Sequence, residues 1–116
     1  MNILKNLRGY VSFGLTSLTF LAGSAFGQAS TGPVTVSKIR TGWDADQVAV
    51  VISGTVPNPA GCAQPDGFIM NTTTNGYKTH LVTLLTAISL DRQVNVIVAP
   101  STCLADRPAV WGVYLE

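Results

Sequence analysis

Charge is scarce in this chain of 116 residues: acids and bases together make up 11% of it, against 47% hydrophobic residues, with one histidine and two cysteines. Each scarcity excludes something. One His and two Cys cannot fill a four-ligand zinc site. No Ser/His/Asp or Cys/His arrangement stands at a recognisable spacing, so His80, on the polar side of a predicted helix, is the only base a small hydrolase could use. Asp44 and Asp46 make an Asp-x-Asp pair, but no third acidic ligand or twelve-residue calcium loop follows, and the pair reads as a solvated turn. The sequence therefore implies no enzyme, no cofactor and no metal.

What is present begins with an export signal. Lys5 and Arg8 precede an apolar run from Tyr10 to Ala22, followed by small residues through Gly27. That is the basic, apolar and small-residue order of a cleavable signal peptide, and the run is too short to span a bilayer. Residues 1–27 are expected to be removed, with cleavage after Gly27 or Ala29, leaving 28–116 as a single small domain. Leu21-Ala22-Gly23-Ser24 resembles the box of bacterial lipoproteins, but Ser24 stands where that chemistry needs a cysteine thiol. The expected product is secreted or periplasmic, with no lipid anchor and no membrane insertion. Losing Lys5 and Arg8 leaves five basic residues against six acidic ones. A near-neutral domain lacks the basic footprint of a nucleic-acid binder.

About 90 residues are near the size at which a hydrophobic core alone is marginal. Both cysteines fall in the exported part, so a Cys62–Cys103 disulfide is expected. Closing a loop of about 40 residues contributes about 4 kcal/mol in the chain-entropy treatment.

The pattern along 28–116 is β-β-β-α-β-β. Val34–Arg40 is β-branched and nearly alternating. In Gln47–Ser53, Val48, Val50 and Ile52 share one face and Ala49 and Val51 the other, the mark of a strand covered twice. The breaker-rich stretch 54–65 is a loop holding Cys62, and Gly67–Thr72 a short strand with Phe68 and Met70 on one face. Leu81, Leu84, Leu85 and Ile88 at i, i+3, i+4 and i+7 predict one amphipathic helix with that stripe buried. Gln93–Ala99 and Ala109–Leu115 complete the strands, with Cys103 in the loop between them. Alternation puts Trp111 and Tyr114 on opposite faces of the last strand, one in the core. Three strands, a helix and two strands is the order of an OB-fold, a small Greek-key barrel; an open α+β sandwich with the same order is the alternative.

Val36-x-x-Ile39-x-x-Gly42, one cysteine late in each half, Leu84-Leu85-x-Ala87 in the helix and Gln93-Val94-x-Val96 in a strand together resemble the receptor-binding B subunits of subtilase-cytotoxin and pertussis-like AB5 toxins. That resemblance implies a secreted OB-fold protein that assembles into homo-oligomeric rings and binds glycans. The family's sugar-contacting serine motif matches no position here, so no glycan site is carried over. From the residues themselves, Trp43, with Asp44 and Arg40 beside it, is the candidate ligand contact: an indole next to polar groups suits stacking on a sugar ring. The expected function is a non-catalytic binding module for a glycan or a surface protein. The alternative is an envelope or secreted structural or inhibitory protein acting by protein contacts.

Overall fold

The computed structural model describes residues 27–42 and 45–116. The predicted signal peptide, Gly27 apart, and the candidates Trp43 and Asp44 lie outside the described residues. Among the described residues six strands and one helix follow one another: β1 Ala29–Val34, β2 Val36–Thr41, β3 Gln47–Ile52, β4 Phe68–Asn71, α1 Tyr77–Ser89, β5 Val94–Leu104 and β6 Arg107–Leu115. They make a mostly β domain with one six-stranded sheet in the order β1-β5-β6-β4-β3-β2. Only β4 and β6 pair in parallel; the other four pairings are antiparallel.

The core lies on one face of the sheet. Val48, Val50 and Ile52 of β3, Phe68 and Met70 of β4, Val94, Val96 and Val98 of β5 and Val110 of β6 alternate inward and meet Leu84 and Ala87 of α1. The opposite, outer face is partly covered as well: Ala49, Ile69 and Ala99 point away from that core yet are also buried. The expectation that β3 is covered twice is thus met at Ala49, while Val51 is half-buried.

Four details of the expected layout are corrected. A strand, β1, precedes the expected first one; Gly32 at φ 67° and a register shift interrupt its alternation and hide it from a period-two reading. There the Thr31 hydroxyl accepts a hydrogen bond from Val96 N at 3.0 Å in place of a ladder carbonyl. Second, β5 does not stop at Ala99. It runs through Pro100 to Leu104, where register irregularity spares proline a ladder bond, and turns into β6 through Ala105 and Asp106 at φ 48° and 62°. Both turn residues are left-handed, as in a type I′ hairpin, although neither is the Asn or Gly that would announce one. Cys103 therefore sits in a strand, opposite Pro108.

Third, the helix buries a different stripe from the one expected. Leu84 and Ala87 are buried and Tyr77 and Leu81 partly so, while Leu85 and Ile88 are 47% and 45% exposed. The helix packs on β6 and β2, with Leu84 and Ala87 as its buried residues. A Schellman motif ends it where Asp91-Arg92 was expected to: Asp91 is left-handed (φ 53°), its N–H donates to Ile88 O at 3.3 Å, and Arg92 N donates to Ala87 O at 2.8 Å.

Fourth, Trp111 and Tyr114 are both outside, 56% and 57% exposed. The ladder pairs Ile97 with Gly112 and Val98 with Val110, which leaves Trp111 without a partner. This extra residue is a β-bulge, and it resets the alternation so that Val110 and Val113 both face the core.

Cys62 and Cys103 form the expected disulfide, with their Cα atoms 5.7 Å apart. The bridge is one of three ties between the loop after β3 and the β5–β6 hairpin. Gln64 N donates to Asp106 O at 2.8 Å, and Arg107 Nε donates to Asp66 Oδ1 at 2.7 Å.

Candidate functional site

The bulge puts Trp111 beside a cleft of about 160 Å³ on the outer face. Ala99 and Ala109 form its apolar floor, and Thr73, Asn75 and Thr102 stand at its rim with the indole. The turn that carries Thr73 and Thr74 is tied by its own hydrogen bonds. In the β4–α1 turn, Asn71 N donates to Thr74 Oγ1 at 3.0 Å and Thr73 N donates to Asn71 Oδ1 at 2.9 Å. Thr74 N also donates to Asn71 O at 2.9 Å, which closes the turn. Gly76 at φ 76° then brings the chain into the helix.

This arrangement can bind but has nothing with which to do acid–base chemistry: an apolar aromatic face, hydroxyls and an amide, with no titratable group among the residues that line it. An exposed Trp flanked by hydroxyls and an amide suits a ligand with one apolar face and a polar rim.

Trp43 and Asp44, named from the sequence, lie outside the described residues. Arg40 is exposed on β2 and lines a different cleft, with Asp66 and Arg107. His80 does not face solvent as a base would: its Nε2 is buried without a hydrogen-bond partner, against Gly76, where an added Cβ would lie 3.0 Å from it. Sequence reasoning missed Trp111 as the site because strict alternation on β6 had one of Trp111 and Tyr114 in the core. Gly112, directly after the Trp, was the available signal, since glycine inside a strand often marks a bulge.

Two groups near the clefts have shifted acidity. The Arg107 guanidinium, by hydrogen bonding and by charge, holds the Asp66 carboxyl below the usual carboxylate range against a smaller opposing effect of burial. Burial, aided by the hydrogen bond that the Tyr77 hydroxyl donates to Asp46 at 2.8 Å, pushes the Tyr77 phenol above its ordinary value.

Comparison with protein families, with characterised proteins and with solved structures finds no match for this chain.

Proposed function

We propose that this is a secreted, non-catalytic, glycan-binding module whose sugar-stacking residue is Trp111. The observation that carries the reading is an indole held outward by a bulge, over an alanine floor and beside a threonine- and asparagine-bearing rim. Residues 1–27 serve as the signal peptide, and the Cys62–Cys103 bridge suits an oxidising destination.

The fold reading that accompanies it is an OB-like arrangement whose six-stranded sheet is not closed into a barrel. Its support is that β1 and β2, at opposite ends of the sheet order, are separated in the chain by Thr35 alone. They read as two halves of one bent strand, one half paired with β5 and the other with β3. The parallel β4–β6 pairing and the helix between β4 and β5 suit a Greek-key arrangement with one helix. Self-association fits too: Val82, Leu85, Ile88 and Leu90 leave one side of the helix region apolar and uncovered.

Glycan-array screening of the purified protein beside Trp111→Ala tests the function. We expect binding to a defined set of glycans, lost in the variant at unchanged melting temperature. No binding to any glycan, or binding indifferent to Trp111, removes the reading. The same exposed helix favours a second one, a structural or inhibitory protein acting by protein contacts alone. A Leu85→Lys/Ile88→Lys double variant that loses a partner protein, in a chain that binds no glycan, would favour it.

A further inference from the structure

On the same outer face a second cleft, of about 140 Å³, opens between β2 and β6. Ala49 and Val51 form its floor, and Arg40, Arg107, Asp66 and Gly67 surround it. Lys38 and Arg40 stand opposite Val51 and Ala49 in the β2–β3 ladder, flanking Ile39, which packs on the core. Two of the five cations of residues 28–116, Arg40 and Arg107, line the cleft, while among the described residues Asp66 is the one acid lining it.

Asp66 is already held by Arg107, through Nε at 2.7 Å and Nη2 at 3.4 Å, and it stays ionised at neutral pH. The pair is neutral together, so Arg40 leaves the cleft with a net positive charge. Among the described residues no hydrogen bond or ion pair engages the Arg40 guanidinium, although its charge also acts on Asp66. The opening is enforced by Gly67, where a Cβ would lie 2.7 Å from Val50 O, so no side chain fills that wall without a backbone shift. Arg107 and Trp111 lie four residues apart on β6, about 13 Å along a strand, so the two clefts are neighbours.

We propose that this cleft binds an anionic substituent, a carboxylate or a sulfate, with Arg40 as its direct contact and the rest of the saccharide reaching the Trp111 cleft. This rests on the glycan reading above. A planar guanidinium matches such oxygens in pairs, and a charged hydrogen bond of this kind contributes about tenfold in affinity.

The test is NMR titration of the purified protein, observing arginine Nε–H and tryptophan Nε1–H signals, with a trisaccharide ending in glucuronate, chosen to span the separation of about 13 Å between the clefts, its methyl ester, and the same trisaccharide ending in glucose 6-sulfate. We expect the acid and the sulfate to bind about tenfold more tightly than the ester. Arg40→Gln should erase that preference and leave ester binding unchanged. The tighter of the two anions names the substituent. Equal affinity for acid and ester, or an acid affinity indifferent to Arg40→Gln, overturns the inference, and the glycan reading survives if Trp111→Ala still abolishes binding. Saturable shifts of the Arg40 signal by the acidic trisaccharide, with an affinity unaffected by Trp111→Ala, support the anion cleft and remove the glycan reading instead.

Discussion

Removing the disulfide by Cys62→Ala together with Cys103→Ala should cost this domain about a third or more of its stability. The bridge spans 41 positions, and releasing a loop of that length returns about 4 kcal/mol of chain entropy to the unfolded state. Cys62 is also buried, at 6% exposure, so losing its sulfur adds about 1 kcal/mol of packing; Cys103 is exposed and adds none. A domain of this size has a total of about 4–13 kcal/mol. The native loop should nonetheless stay in place, because Gln64 N to Asp106 O and Arg107 to Asp66 hold the same two segments together. The loss therefore acts through the unfolded state and leaves a marked signature in guanidinium unfolding. The midpoint falls and the slope rises, since the open chain exposes more surface. A loss under about 1 kcal/mol at unchanged slope would refute the reasoning.

Two further outcomes follow from local geometry. The hairpin Ala105-Asp106 holds two side-chain-bearing residues in left-handed conformations, so Ala105→Asn with Asp106→Gly should stabilise by about 1–2 kcal/mol, read as a higher melting temperature; no gain would mean the turn is not strained. Because the Asp66 carboxyl is depressed when folded, the stability it contributes is present above its unfolded value, about pH 4, and is lost as pH falls through the folded value. Asp66→Asn should therefore flatten the acid limb of a stability–pH curve without changing the slope above pH 6, and an unchanged acid limb would assign the effect elsewhere.

The core was legible because alternation reports it directly: Val48, Val50 and Ile52, Phe68 and Met70, and Val94, Val96 and Val98 face inward as their spacing requires. The disulfide was legible from export and cysteine count, and the position of the helix from its period. What escaped the sequence was set by single residues that break a period. Gly32 interrupts β1, the unannounced turn at Ala105-Asp106 extends the last two strands, and the helix buries Leu84 and Ala87, a narrower strip than its leucines suggest. The site escaped for the same reason, since its central residue is the one that the ladder skips.

A bulge residue at Trp111 should respond to deletion differently from an ordinary strand residue. Deleting Trp111 from an unbulged strand would shift every later side chain to the other face, driving Tyr114 inward and Val113 out, and would unfold β6. Here the ladder already passes over Trp111, from Val110 opposite Val98 to Gly112 opposite Ile97. With the residue gone, Val110, Gly112, Val113 and Tyr114 alternate in, out, in and out, and both valines keep their places in the core. The deletion variant should fold, with a melting temperature within about 8 °C of the parent, the shift that about 1 kcal/mol produces in a domain of this size. Deleting Val113, which removes a core side chain and disturbs the register after the bulge, should not fold. If both deletions unfold the chain alike, β6 does not tolerate a shortened ladder and the bulge account of the site fails. If only the Trp111 deletion folds, the indole is an inserted residue that the core-facing side of the strand does not need, which leaves the outer cleft as the place where it acts.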